Sequence, residues 1–308
     1  MTAGTGRMVM KSSAATLAQP GEGRVSSLKV IAGGASKEVI RLANVRKTFR
    51  GGGRDVAALG QIDLSVRNGE FITVIGPSGC GKSTLFNILV GLMQPDPGGE
   101  MYLHGEKLGP NSLLGKIAFM PQRDMLLPWR TVLDNAILGV EVAGQGRREA
   151  RRRAMDVIGE FGLAGFDSHY PHQLSGGMRQ RVALMRTFLF ERDLMLLDEP
   201  FGALDALTRS MMQQWLLKVW EHFRRTILFI THDIDEAIFL ADRVLVISAR
   251  PGTIKLDIPV HLERPRPSSI VTSSDFIALK RQLLEAVEEE SMKTFASQGE
   301  GAPQGGGK

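Results

Sequence analysis

Residues Gly76 to Thr84 combine glycines, a lysine and hydroxyl groups at a spacing that suits phosphate binding. The stretch consists of Gly76, Pro77, Ser78, Gly79, Cys80, Gly81, Lys82, Ser83 and Thr84. It fits the pattern GxxxxGK[ST], in which glycines let the backbone wrap around an anion while successive N–H groups point inward at a helix N-terminus. Lys82 can then reach the outer phosphates of a nucleotide, and the Ser83 hydroxyl can bind Mg²⁺.

A pair of carboxylates supplies the other half of such a site. Asp198 and Glu199 follow the apolar run 194–197, which places them at the sheet edge where ligands bind in open α/β folds. There Asp198 can hold Mg²⁺, directly or through water, and Glu199 can orient and deprotonate an attacking water. His232 follows another apolar run, 226–230, and we expect it to contact the terminal phosphate from the same edge.

The elements that must position these groups alternate between strand and helix patterns. Several apolar runs are uninterrupted, as expected of strands that are covered on both faces. The predicted strands are Glu38–Phe49, Ile62–Val66, Phe71–Ile75, Lys116–Met120, Leu194–Leu197, Thr226–Ile230 and Arg243–Ile247. Because helical patterns lie between them, we predict an α/β domain with a largely parallel sheet.

Helical patterns account for most of the remaining chain. In Ala206–Phe223 apolar residues recur at helical spacing, and we interpret them as core residues. They are Leu207, Met211, Trp215, Leu216, Val219, Trp220 and Phe223. The stretch from about 131 to 190 shows helix signals and no convincing strand, which predicts an inserted helical subdomain. A last amphipathic helix is predicted over about 274–294.

Composition separates one domain from its extensions. Residues 1–37 and 297–308 are rich in small residues without periodicity, and we predict that both are disordered. Residues 38–260 form the predicted α/β domain. Residues 261–296 form a C-terminal extension that contains the last helix.

The overall composition narrows the class of protein. No run approaches the roughly 18 apolar residues that suggest a membrane-spanning helix, and the N-terminus lacks the apolar segment of a secretory signal. The single cysteine, Cys80, rules out an internal disulfide framework. The net charge of +5 suits nucleic-acid binding and a position beside anionic lipid equally well, so charge alone does not decide between them.

Further motifs, in order along the chain, resemble those of ABC-type ATPases. The segment 174–181, which reads LSGGMRQR, resembles the family signature and precedes the strand that ends in Asp198. The resemblance covers roughly residues 38–260. It implies a P-loop NTPase fold with a RecA-like α/β core, an inserted helical subdomain and a small β subdomain. It also implies a head-to-tail homodimer that binds ATP and Mg²⁺ between its subunits.

The resemblance assigns roles to residues that spacing alone leaves open. Through it Gln122 is the Q-loop residue, with a catalytic role and as a ligand of Mg²⁺. His232 is the switch histidine, and Asp205 is the D-loop residue. Phe49 is the aromatic residue that stacks on adenine.

The signature segment also has a physical interpretation. Ser175 offers a hydroxyl, and Gly176 and Gly177 expose N–H groups at the start of a predicted helix, which makes a second anion site. Such a site cannot easily reach the phosphate that the P-loop of the same chain already holds. We therefore expect it to complete the nucleotide site of a partner subunit.

Longer segments are similar to the ATP-binding subunits of bacterial nitrate, sulfonate and taurine importers. The similar segments are 126–142, 174–184, 198–209 and 231–252. The similarity implies a complex of two such chains with two separate permease subunits and, indirectly, an extracytoplasmic substrate-binding protein. The ATPase would lie at the cytoplasmic face of the inner membrane as a peripheral subunit, and no nucleic-acid partner is expected.

Two other functions remain open at this point. A soluble ABC-type ATPase that acts on nucleic acid or ribosomes could use the arginine-rich stretch 147–153, which could equally be a solvated helix face. A small-molecule kinase would explain the P-loop, yet it gives no purpose to the signature segment or to His232.

The segment after Gln122 carries apolar residues on what reads as an irregular loop. Pro128 argues against a strand or a helix there, and Trp129 is costly to expose. We interpret Leu127, Pro128 and Trp129 as a docking patch for a permease. The alternative is that Trp129 closes a gap between the core and the helical subdomain.

Overall fold

The computed structural model of the protein describes residues 38–51, 55–109 and 112–299. The predicted disordered segment 1–37 lies outside the described residues, as does 300–308. The last helix continues to Gly299, past its predicted end at 294, and so enters the stretch that the sequence assigns to a disordered tail.

The central sheet has six strands, and all neighbouring pairs are parallel except the one at one edge. In spatial order the strands are β10 (Ile254–Pro259), β9 (Arg243–Ile247), β3 (Phe71–Ile75), β8 (Thr226–Ile230), β7 (Leu194–Asp198) and β6 (Ala118–Met120). Every residue of β3, β7 and β8 is buried, which explains their uninterrupted apolar sequences. The predicted α/β class with a parallel sheet is confirmed.

A smaller antiparallel sheet packs on one face of the central sheet through a shared apolar cluster. Its strands, in spatial order, are β2 (Val56–Arg67), β1 (Glu38–Phe49), β4 (Glu100–Leu103) and β5 (Glu106–Lys107). The sequence predicts β1 at its observed ends and the inner part of β2. It gives no signal for β4 and β5, which are short and not fully buried and are held by pairing with β1 and with each other.

The described residues also form eight α-helices. They are α1 (Lys82–Leu89), α2 (Val132–Ala136), α3 (Leu138–Val142), α4 (Arg147–Val157), α5 (Gly176–Leu189), α6 (Ala206–Phe223), α7 (Ile234–Leu240) and α8 (Ser274–Gly299). Helices α2 to α5 lie between β6 and β7, within the stretch predicted as a helical insertion. The side chains of Thr131, Ser175, Asp205 and Asp233 cap α2, α5, α6 and α7 by accepting a backbone N–H from the first turn.

The core lies on both faces of the central sheet. Phe71 and Ile75 of β3 pack into one apolar cluster with the helical subdomain, whereas Ile72 and Val74 pack into the other with α1 and the antiparallel sheet. This alternation follows from the period of two in a strand. Because β3 is fixed from both sides, the loop at its carboxyl end has a rigid base.

One prediction about helix α6 is wrong in part. The helix has its predicted ends, but Leu207 and Met211 are exposed rather than buried in the core. The core face instead includes Met212 and Leu217. Leu207 lies two residues after the cap residue Asp205, so this end of the helix exposes an apolar side chain.

Candidate nucleotide-binding and hydrolysis site

Four strands deliver polar groups to one edge of the central sheet. Strands β3, β8, β7 and β6 run parallel and adjacent, so their carboxyl ends meet at the same edge. There β3 leads into the loop 76–81, β7 ends at Asp198 and Glu199, β8 precedes His232, and β6 precedes Gln122. The fold thus brings together the groups that the sequence singles out along more than a hundred and fifty residues (from 76 to 232).

The loop 76–81 joins β3 to α1 and has the tight curvature of a phosphate loop. Gly81, the N-cap residue of α1, has a φ of 107°, and a Cβ at that position would lie 2.8 Å from the Ala58 carbonyl oxygen. Only glycine fits both conditions. The glycine therefore lets β2 approach the loop closely at the start of α1, where an anion is favoured.

Lys82 lies against this loop. Its ammonium group donates hydrogen bonds to the carbonyl oxygens of Gly76, at 2.8 Å, and Pro77, at 3.0 Å. These contacts hold the positive charge over the loop entrance, within reach of a phosphate that the loop would bind.

Ser83 and Asp198 form the oxygen-rich part of the site. The Ser83 hydroxyl donates to Asp198 Oδ2 at 3.4 Å, and Asp198 is buried at the end of β7. Burial, with the neighbouring Glu199 charge, raises the pKa of Asp198 above its ordinary value, although the Ser83 hydrogen bond and the Lys82 charge lower it in part. A divalent cation beside this carboxylate would stabilise its charged form and so lower its pKa.

Glu199 lies against two other candidate catalytic residues, Gln122 and His232. Its backbone has a φ of 48°, a left-handed conformation that costs free energy in a residue with a Cβ and often marks functional sites. Its amide donates to the Ile230 carbonyl oxygen at 3.0 Å, which ties it to β8. Its Oε2 atom accepts a hydrogen bond from Gln122 Nε2 at 3.0 Å and lies 3.5 Å from Nδ1 of His232.

The signature residues lie at the N-terminus of α5. Ser175 caps α5 by accepting the Met178 N–H at 3.2 Å, and Gly176 and Gly177 form the first residues of that helix. Within the described ranges, no hydrogen bond or ion pair joins these residues to the loop 76–84. Asp205 caps α6 by accepting the Thr208 N–H, and its hydrogen bonds to Thr208 lower its pKa.

Phe49 lies at the end of β1, where the structure leaves 42% of its surface exposed. The Lys47 ammonium nitrogen lies 5.9 Å from the centre of the Phe49 ring. An exposed ring at a strand end is free to stack on a planar base, as the sequence predicts for this residue.

Sequence reasoning missed the residues that fix the loop after Gln122. Arg186 of α5 donates to the carbonyl oxygens of Asp124, at 2.7 Å, and Met125, at 2.8 Å. Arg179, also on α5, forms an ion pair with the Asp124 carboxylate at 3.1 Å. The loop and the signature helix are therefore joined directly. The partners lie 55 to 62 residues apart in sequence, so local patterns give no signal for them.

A buried asparagine fixes the next part of this loop. The Asn135 side chain accepts the Leu127 N–H at 2.7 Å and donates to the carbonyl oxygens of Leu127, Arg130 and Thr131. Trp129 lies at the tip of the turn that these bonds hold, with 71% of its surface exposed. A residue that closed an internal gap would be buried, so the structure leaves Trp129 available for an external contact.

The arginine-rich helix α4 is mostly neutralised within the chain. Arg147 and Arg151 pair with Asp134, Arg152 pairs with Glu149, and Arg153 pairs with Glu191. Exposed arginines with carboxylate partners on the same chain are typical of a solvated helix face. The interpretation of α4 as a solvated, internally paired helix face is favoured.

Comparison with known proteins agrees with this geometry. A family profile described as ABC transporter matches residues 59–202. An uncharacterized ABC transporter ATP-binding protein of Methanocaldococcus jannaschii is 43% identical over 260 residues, which cover 84% of this chain and 95% of that protein. The chain belongs to the ABC transporter ATP-binding family. It is accordingly an ATPase of the class that drives transport.

Two further relatives have named solutes. The aliphatic sulfonates import ATP-binding protein SsuB of Bacillus cereus is 40% identical over 249 residues, covering 81% of this chain and 96% of that protein. The taurine import ATP-binding protein TauB of Yersinia pestis is 40% identical over 232 residues, covering 74% of this chain and 90% of that protein.

Solved structures of the family show the same fold. A dimeric bacterial ABC transporter cassette has a TM-score of 0.66 and 34% identity, and the match covers 73% of this chain and all of that one. A dimeric post-hydrolysis state of an ATP-binding cassette with ADP and Pi gives the same TM-score at 33% identity, with the same coverage of both chains. Within the described ranges, no helix of this family member is both long and apolar enough to cross a membrane.

Proposed function

We propose that this chain is the ATP-hydrolysing subunit of an importer for a small solute of the nitrate, sulfonate or taurine class. The observation that carries the proposal is similarity over most of the chain to ATP-binding subunits named for sulfonate and taurine import. The convergence of Gln122 and His232 on Glu199 gives the same chain a site suited to hydrolysis.

The loop 76–84 would hold the phosphates of ATP through its backbone N–H groups and Lys82, with the adenine against Phe49. The groups present also fit Mg²⁺, which prefers oxygen ligands and bridges phosphates with few protein contacts. The Ser83 hydroxyl and the Asp198 carboxylate already lie side by side, and the Gln122 amide oxygen would be the third protein ligand. When bound, Mg²⁺ would neutralise charge on the phosphates.

Glu199 would act as the general base. Its carboxylate is held by the Gln122 amide and lies beside His232, so both neighbours can orient it toward a water in line with the terminal phosphate. Glu199 would accept the proton of that water as the oxygen attacks phosphorus and ADP leaves. His232 would stabilise the charge on the transferred phosphate.

A second copy of the chain would complete the site. Ser175 and the N–H groups of Gly176 and Gly177 form a helix N-terminus, which within the described ranges makes no hydrogen bond or ion pair with the phosphate loop of its own chain. In a head-to-tail dimer this terminus would contact the nucleotide held by the partner, with Asp205 beside the joint. Hydrolysis would then require closure of the two subunits.

Two separate permease subunits would carry the solute across the inner membrane, with this chain bound peripherally at their cytoplasmic face. An extracytoplasmic binding protein would deliver the solute to them. The docking patch of Leu127, Pro128 and Trp129 would form the permease contact; Pro128 and Trp129 are exposed and Leu127 is half-buried. Met125, on the same loop and 63% exposed, would extend this contact.

Reconstitution tests the proposal. The purified chain should hydrolyse ATP slowly alone and several-fold faster in vesicles with its permeases and a loaded binding protein, because partner contact closes the dimer. A panel of nitrate, taurine and alkanesulfonates would identify the solute. A complex with Glu199→Gln is the matched control for hydrolysis-driven uptake. Failure of the permeases to bind or accelerate the ATPase would contradict importer function.

A further inference from the structure

The turn between β9 and β10, residues 248–253, packs directly against the phosphate loop. The Arg250 guanidinium donates twice to the Gly79 carbonyl oxygen, from Nη2 at 2.7 Å and from Nε at 3.1 Å. This side chain is exposed, and it touches the phosphate loop from outside. The motifs that predict the nucleotide site include no residue of this turn.

The backbone of the same turn makes a second contact with the phosphate loop. A Cβ at Gly252 would lie 2.1 Å from the Cys80 carbonyl oxygen, a separation at which no other residue fits. The Gly252 amide donates to the Ala58 carbonyl oxygen at 3.0 Å, and its own carbonyl accepts the Gly60 N–H at 2.9 Å. The turn is thus fastened between the phosphate loop and strand β2.

The Arg250 contact sets the direction of a peptide group in the phosphate loop. In a trans peptide the C=O and N–H point in opposite directions. The Cys80 N–H of the same peptide group donates to the Pro77 carbonyl oxygen at 3.4 Å, so Arg250 and Pro77 hold the two ends of this peptide group. A peptide group held at both ends fixes the loop backbone, whose other N–H groups would bind a phosphate.

The C-terminal helix holds this turn in place. Glu290 of α8 is 2% exposed, and its Oε2 atom accepts the Ala249 N–H at 2.7 Å. Its Oε1 atom accepts hydrogen bonds from Lys255, at 2.8 Å, and Lys293, at 2.7 Å. Burial raises the pKa of Glu290, but the Lys255, Lys293 and Ala249 hydrogen bonds together outweigh burial and bring that pKa to about 2. The carboxylate therefore stays charged and bonded at neutral pH.

The chain of contacts runs from α8 to the phosphate loop in three steps. Glu290 fixes Ala249, the adjacent Arg250 binds the Gly79 carbonyl oxygen, and that peptide group holds the backbone curve of the loop. We propose that Arg250 is a positioning residue for nucleotide phosphate binding, and that Glu290 of the C-terminal helix acts through it. The C-terminal extension beyond residue 260 then supports the nucleotide site through Glu290.

Binding of ADP to the full-length chain tests the inference, which rests on the phosphate loop as the nucleotide site. Arg250→Ala should weaken ADP affinity about threefold to tenfold, the range of one net hydrogen bond, with an unchanged unfolding midpoint. The KM for ATP should rise by a similar factor while kcat changes little, because the contact serves binding. Arg250→Lys should recover part of the affinity, since it restores a single donor.

Glu290→Gln tests the link to the helix, and its effect should vanish once Arg250 is absent. The double variant should therefore bind ADP like Arg250→Ala alone, whereas additive losses would show that Glu290 acts by another route. Glu288→Gln and Arg281→Ala, exposed on the same helix, are matched controls that should bind ADP normally. Wild-type affinity in Arg250→Ala would overturn the inference. Absence of ADP binding in the wild type would instead overturn the site itself.

Discussion

The Gln122 amide nitrogen lies 3.0 Å from Glu199 Oε2 and donates a hydrogen bond to it. Gln122 follows β6 and Glu199 follows β7, so the bond joins two neighbouring strand ends. Gln122 also begins the loop that α5 holds through Arg186. A continuous series of contacts therefore joins the proposed base to the helical subdomain.

Glu199→Gln should bind ATP normally and lose hydrolysis by about two to four orders of magnitude, the usual contribution of a general base. The amide keeps the shape and the Gln122 contact but cannot accept a proton. Single-turnover hydrolysis and equilibrium ATP binding on the same preparation would separate the two effects. Glu263→Gln, at an exposed position, is the control, and near-normal turnover in Glu199→Gln would place the base elsewhere.

Asp198→Asn should stabilise the nucleotide-free protein and weaken its response to Mg²⁺ with ATP. The pKa of Asp198 is raised above 3.8, mainly by burial, so the folded state binds this proton more tightly than the unfolded chain. Ionisation therefore costs stability as pH rises above that value, and the cost grows until the pH exceeds the raised pKa of the folded state. The asparagine removes the cost.

Thermal unfolding at acid and neutral pH checks the Asp198 prediction. The advantage of the variant over the wild type should be larger at neutral pH than at acid pH, because protonation of the Asp198 carboxyl removes the cost of its charge. Addition of Mg²⁺ with ATP should then raise the wild-type midpoint more than that of the variant. An Asp198→Asn variant that is less stable than the wild type at neutral pH without nucleotide would contradict this prediction.

Ser175→Ala should separate a capping role from a role in a partner's site. Ser175 and Thr131 both cap a helix by accepting an N–H at 3.2 Å, so either alanine variant should lose about 0.5–2 kcal/mol of unfolding free energy. Only Ser175→Ala should also lower ATP hydrolysis at saturating ATP. Equal hydrolysis in the two variants, measured at matched folded fractions, would remove Ser175 from the nucleotide site.

Trp129→Ala should keep the fold and the basal ATPase and lose solute uptake in the reconstituted complex. The side chain is 71% exposed, so its removal leaves no core cavity, whereas a docking contact would lose much of its apolar area. Leu92→Ala, another exposed apolar residue at 66%, is the control that should leave uptake unchanged. Unfolding of Trp129→Ala would instead assign the ring a structural role.

The sequence predicts the parts of the fold whose burial is uniform. Strands β8 and β9 match their predicted ends because every or nearly every residue is apolar. Strand β4 gives no such signal because each of its residues is only half-buried and because pairing with β1, far away in sequence, holds it. Apolar periodicity likewise cannot distinguish a core face from an exposed apolar face, which is why Leu207 is wrongly assigned to the core.

The residues of the candidate site also fall into a group that the sequence predicts and a group that it does not. Residues at strand ends, such as Asp198 and His232, are predictable because parallel strands bring their carboxyl ends to one edge. Residues that orient them, such as Arg179, Arg186 and Arg250, act across 55 or more residues of sequence. Their partners are mostly backbone carbonyl oxygens, which have no signature in the amino-acid sequence.

The hydrogen bonds from Arg186 to the loop after Gln122 affect which side chains that loop can carry. Because its guanidinium binds the carbonyl oxygens of Asp124 and Met125, and every residue has a carbonyl, the anchor does not depend on the side chain at position 125. Met125 has a φ of 47°, so a residue that tolerates this left-handed conformation can replace it while both hydrogen bonds remain. The side chain that would face the proposed permease is thus separate from the backbone atoms that hold the loop.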